Sequence, residues 1–66
     1  MRLVNRIKDR RTQLGLTQAE LADHCAVSRK TINTVENGVF VPSTVLALRI
    51  AAVLTEPVEE LFWLED

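Results

Sequence analysis

The chain has 66 residues, 47% of them apolar and 26% charged, with a formal net charge of −1. A chain this short is expected to form one domain, residues 1–66, burying only about 60% of its unfolded surface and holding little stability in reserve. One cysteine, Cys25, excludes an internal disulfide, and no run of about 20 apolar residues exists to span a membrane. No signal-peptide pattern opens the chain, so a soluble protein of the reducing cytoplasm is expected.

In chain order, the first helix is expected from about Leu3 to Leu14, with Leu3, Ile7 and Leu14 at helical spacing and Gly15 as its stop. Thr17 opens a second helix, with Glu20 three residues on in the pattern of a capping box, and Leu21, Ala22 and Cys25 form its apolar stripe. A third helix follows within three or four residues, N-capped by Ser28 and closed by Asn37-Gly38. Two short helices so closely joined make a helix-turn-helix corner, here about residues 17–37. Ser43 caps a fourth helix that runs to Leu54, and Pro57 begins a fifth, with Glu59 and Glu60 in its first turn. "MRLVN" at the start could instead be extended and pair with the apolar tail "LFWLED" as a two-stranded antiparallel ribbon. The fold class is therefore all-α with five helices and room for a terminal ribbon.

Charge is divided along the chain. Residues 1–38 carry seven Lys and Arg against four acids, and residues 39–66 carry only Arg49 against five acids. A net charge near zero thus hides a basic half suited to an anionic partner, although the same cations could simply be solvated surface. The third helix sharpens the point. At about 100° per residue, Arg29, Asn33, Asn37, Lys30 and Thr34 share one polar arc, with Ile32 and Val35 opposite. No acid falls in that arc, whereas an ordinary solvated face would usually contain one. Arg29 and Lys30 stand on the first turn, where the helix dipole disfavours cations. Phosphates and base acceptors of a DNA major groove would offset that cost, and the Asn amides suit adenine. Gln18, at the start of the second helix, sits where free N–H groups attract a phosphate. A helix end on the backbone and a polar helix in the groove is how a helix-turn-helix docks on duplex DNA.

With "RIKDRRTQLGLTQAELADHCAVSRKTINTVENG", "PS", "LALRIAAVL" and "PVEELF", the chain resembles the lambda-repressor/Cro-like helix-turn-helix regulators, the Xre family, over nearly its whole length. The resemblance implies a minimal, single-domain member of the five-helix fold. It implies base reading by Arg29, Lys30, Asn33 and Thr34. It places Gln18 and Asn37 against the DNA backbone, and the N-cap residues Thr17 and Ser28 complete that set. It also implies a largely buried structural ion pair between Arg11 and Glu36. The chain departs from the family's pattern in two respects. Ala26 stands where glycine is usual in the turn, a strain of about 1–2 kcal/mol if the backbone there is left-handed. Val45, Ala52 and Val53 leave the fourth helix apolar nearly all round, which suggests cover on more than one side.

Catalysis finds no support. His24 and Cys25 point about 100° apart on a helix, Cys25 continues a core stripe, and neither a metal-ligand set nor a glycine-rich phosphate loop is present. No cofactor is expected. The expected function is sequence-specific transcriptional regulation, as a repressor on a palindromic operator, because one recognition helix reads only a few base pairs. The expected homodimer would be held by the C-terminal segment 57–66, through Leu61, Phe62, Trp63 and Leu64. The alternative is an antitoxin or other protein-interaction module, which the acidic second half and apolar tail would serve.

Overall fold

The computed structural model describes all 66 residues. Its elements in order are strand β1 (Arg2–Asn5), helices α1 (Ile7–Gln13), α2 (Gln18–Cys25), α3 (Arg29–Glu36), α4 (Thr44–Leu54) and α5 (Val58–Leu61), and strand β2 (Phe62–Glu65). The strands form an antiparallel ribbon in the register Arg2↔Glu65, Leu3↔Leu64, Val4↔Trp63 and Asn5↔Phe62. The five helices and the terminal ribbon are both present. No helix is long and apolar enough to cross a membrane.

The first helix begins at Ile7, not Leu3. Leu3 and Val4 are paired in the ribbon, and Asn5 ends the strand by accepting the Ile7 N–H at 3.1 Å through its Oδ1. Its Nδ2 donates to the Val35 carbonyl at 3.0 Å, so the ribbon is fastened to the end of α3. Leu14 caps α1 and is 41% exposed, so Ile7 is the one fully buried residue of that helix. The N-caps of α2, α3 and α4 are those read from the sequence, whereas Pro57 is itself the N-cap of α5, which begins at Val58. The Thr17 Oγ1 accepts from the Glu20 N–H at 3.0 Å while the Glu20 carboxylate accepts from the Thr17 N–H at 2.9 Å. Ser28 and Ser43 cap α3 and α4 through the N–H groups of Thr31 and Leu46, both at 3.1 Å.

The core gathers Ile7 with Leu21 and Cys25 of α2, Ile32 and Val35 of α3, Ile50 and Leu54 of α4, and Leu61 of α5, all buried. Burial pushes the Cys25 thiol above its ordinary pKa, which leaves it a protonated packing group. The fourth helix is not covered on every side. Leu46, Ile50, Ala51 and Leu54 face the core, but Val45 and Leu48 remain 61% and 53% exposed.

Ala26 is left-handed at φ 58°, ψ 39°, and ends α2 with the strain foreseen for a residue other than glycine. Thr55 takes the same conformation after α4 but uses its side chain, donating to the Leu54 carbonyl at 2.7 Å and accepting from Arg10 Nη2 at 3.0 Å. Ala26 has no such role. Ala26→Gly is therefore expected to stabilise the fold by about 0.5–1 kcal/mol, the relief of strain less the extra chain entropy of glycine. Denaturant unfolding measures this, and a destabilised Ala26→Gly would refute it.

The basic half and the acidic half are folded onto each other. Arg2 pairs with Glu65 at 3.6 Å, Arg6 and Arg10 with Glu56 at 3.3 and 3.4 Å, and Arg11 with Glu36 at 2.8 Å. Four of the seven cations in residues 1–38 are thereby paired within the chain, three of them at least partly buried and Arg2 at the surface. Arg29 and Lys30 are in none of these pairs, and both are exposed.

Candidate nucleic-acid interface

The corner between α2 and α3 is set by three local facts. The capping box starts α2, left-handed Ala26 turns the chain, and the Val27 N–H donates back to the Ala22 carbonyl at 3.0 Å. Ser28 then opens α3, whose Ile32 and Val35 are buried and therefore fix which face looks outward. On the outward face Arg29, Lys30 and Asn37 are exposed, and Asn33 and Thr34 are half-buried. The structure thus brings the four expected base readers and Asn37 onto one surface without an exposed acid among them.

Thr17 and Ser28 lie at the starts of the two helices, where their hydroxyl oxygens serve as caps. The Thr17 hydrogen bonds, first the one from its backbone, hold the Glu20 carboxyl below its ordinary pKa of 4.5 and keep the box ionised. Gln18 and Ala19, in the first turn of α2, have main-chain N–H groups that donate to no other backbone group. They open on a cleft of about 420 Å³ that is also lined by Thr12, Gly15, Thr17 and Arg29. A phosphate there would meet free donors, the positive helix end and a guanidinium.

The Arg11–Glu36 pair lies beneath this surface, with the Glu36 side chain only 3% exposed. Arg11 donates through Nε to Oε2 at 2.8 Å and through Nη2 to Oε1 at 3.2 Å, while its Nη1 donates to the Leu16 carbonyl at 2.9 Å. Gln18 Nε2 donates to the same Glu36 Oε1 at 3.1 Å, and Gln18 Oε1 accepts from Arg29 Nη1 at 3.1 Å. Asn33 Nδ2 lies 3.5 Å from that amide oxygen, and Asn33 Oδ1 accepts from Asn37 Nδ2 at 3.2 Å. Sequence spacing gave no sign of this chain of contacts, because its members come from three helices.

The C-terminal residues divide. Leu61 is buried in the protein's own core and offers no surface to a partner, and Phe62 is half-buried against the same core. Leu61 closes α5 inward and Phe62 still packs on the core, so only Trp63 and Leu64 of the expected four, farther along β2, reach the surface, at 37% and 59% exposure. Exposed apolar residues that sequence reasoning did not single out include Val39, Phe40, Val41 and Leu48, and Val45, expected to be covered, is exposed as well. Leu48 shares a groove with Leu3, Pro42, Val58 and Phe62, and Leu3 pairs with Leu64, so one apolar surface runs from α4 onto the ribbon.

Comparison with known proteins agrees with this geometry. A family model described as helix-turn-helix matches residues 7–61. The uncharacterized helix-turn-helix-type transcriptional regulator YgzD of Bacillus subtilis is 37% identical over 62 residues, covering 94% of each chain. An uncharacterized regulator of the same type from Methanothermobacter thermautotrophicus is 46% identical over 61 residues, covering 91% of this chain and 88% of its own. A crystal structure of a Bacteroides fragilis protein, provisionally described as DNA-binding, superposes with a TM-score of 0.83 over 92% of this chain and 98% of that one. At 24% identity this last likeness speaks for the fold alone. With its capped corner, exposed polar α3 and matching relatives, the chain belongs to the lambda-repressor-like (Xre) helix-turn-helix family of DNA-binding transcriptional regulators, which are not enzymes.

Proposed function

We propose that the protein is a cytoplasmic repressor that binds a palindromic operator as a homodimer. The observation that carries the reading is α3, where Arg29 and Lys30 are free of internal ion pairs and stand with Asn33 and Thr34 on an acid-free outward face. In this reading Arg29, Lys30, Asn33 and Thr34 meet base edges in the major groove. Thr17, Ser28, Asn37 and the free N–H groups at Gln18 and Ala19 hold the sugar-phosphate backbone. Occupying a promoter in this way excludes polymerase and needs neither cofactor nor further chemistry.

Homodimerisation follows from the open apolar surface. Val45 and Leu48 on α4 and Leu64 on the ribbon expose more than half of their area, and a second copy related by a twofold axis would cover them. Trp63 does not line the groove at Leu48, and its indole N–H donates to Glu65 at 3.2 Å.

The test is selection of bound sequences from random duplex DNA, with sedimentation of the same protein. An inverted repeat is expected, its half-sites about 34 Å apart. Leu48→Glu should give a monomer that no longer selects the repeat. A monomeric wild type that selects an asymmetric site would overturn the dimer, and no preference for any sequence would overturn the regulatory reading.

A further inference from the structure

We infer that Glu36 is a positioning residue for base recognition: its buried carboxylate fixes the Gln18 amide, and that amide aims Arg29 and Asn33. The inference rests on the DNA-binding reading above and assigns a specific task to two side chains that reading leaves as brace and backbone contact.

Donors and acceptors decide how the Gln18 amide is oriented. A carboxylate can only accept hydrogen bonds, and a guanidinium can only donate them. Gln18 lies between one of each, so its amide has a single satisfactory sense, with Nε2 toward Glu36 at 3.1 Å and Oε1 toward Arg29 at 3.1 Å. The opposite sense would set oxygen against carboxylate and N–H against guanidinium. The order then propagates. Gln18 Oε1 must be met by donors, so Asn33 turns Nδ2 toward it, at 3.5 Å, and Oδ1 toward Asn37 Nδ2, at 3.2 Å.

Each reading group keeps what recognition needs. Asn33 retains one N–H and one oxygen lone pair, the combination that adenine's major-groove edge requires, and Arg29 retains Nη2 and Nε for guanine or phosphate. Arg11 holds the carboxylate in place with two hydrogen bonds, so the order starts from a buried, anchored group. The Gln18 side chain, with both ends engaged, acts mainly through Arg29 and Asn33, and phosphate contact at that position falls to its main-chain N–H.

The test uses the full chain and its selected duplex, with every single-base variant of the half-site as competitor. Glu36→Gln removes the anchored acceptor that fixes one end of the amide, and discrimination at the one or two base pairs read by Arg29 and Asn33 should fall about tenfold, with less change elsewhere. Because that variant also disturbs Arg11, Gln18→Met serves beside it. It leaves Arg11 and Glu36 paired, should unfold like the wild type, and should give the same position-specific loss with an unchanged salt dependence. The reciprocal pair Gln18→Glu with Glu36→Gln restores an acceptor to Arg29 and should recover discrimination at its base pair. Gln18→Met that weakens every sequence by the same factor, keeping its discrimination, would overturn the inference. Failure of the underlying reading is visible separately, as a wild type that prefers no sequence.

Discussion

Arg11→Met is expected to cost about 3–5 kcal/mol, because it leaves the Glu36 carboxylate buried without its cation. Two further losses accompany it. The Leu16 carbonyl loses its 2.9 Å donor, and the link from α1 to the end of α3 is cut. A core in a domain this small rarely supplies more than about 3–5 kcal/mol, so the variant should be largely unfolded at room temperature. The size of the effect comes from the stranded charge rather than from the worth of the pair. Arg11→Met with Glu36→Leu should therefore recover a large part of the loss, since a buried ion pair is often matched by apolar groups of similar volume. Circular dichroism through a guanidinium titration distinguishes these cases. A stable Arg11→Met, or a double variant no better than the single, would show that the pair is not what ties α1 to α3.

Local chemistry made much of this fold legible, and long-range pairing is where legibility ended. Thr17 with Glu20, Ser28 and Ser43 announce their helices because a cap is satisfied within three residues of itself. The outward face of α3 was readable for the same reason, since helical periodicity alone separates Arg29 and Asn33 from Ile32 and Val35. Leu3 and Ile7 fit a helical spacing, yet Leu3 is in a strand, because its partner Leu64 lies at the other end of the chain. The four apolar residues Leu61 to Leu64 read alike in sequence. Only the change from helix to strand at Phe62 decides that Leu61 faces the core and Leu64 the solvent. Charge summed along the chain pointed to the right kind of partner but not to the residues that would meet it. The excess of cations in the first half looked like a footprint for an anion, but Arg2, Arg6 and Arg10 meet Glu65 and Glu56 across the whole length of the chain. Arg11 and Glu36 were placed by family resemblance, and their reach through Gln18 to the outward face was not visible from any spacing.

That internal pairing sets how operator binding should respond to salt. Arg6, Arg10 and Arg11 are paired within the fold and Arg2 pairs at its surface, so Arg29 and Lys30 are the unpaired cations on the recognition face, free to displace counterions as they enter the groove. The proposed dimer then releases counterions from about four phosphates, for a slope of about −3.6 in log affinity against log salt. Raising salt from about 50 to about 200 mM should weaken binding by about a hundredfold, well short of the loss if all seven cations of the first half made contact. Replacing both Arg29 and Lys30 by Ala should flatten the slope almost entirely. Arg6→Ala and Arg10→Ala should leave it nearly unchanged, because those guanidinium groups face Glu56. Fluorescence anisotropy of a labelled operator across a salt series gives each slope directly. A slope about twice as steep, or one that Arg6→Ala reduces as much as Arg29→Ala does, would mean that the ion pairs to Glu56 open on DNA and that the basic half acts as a whole.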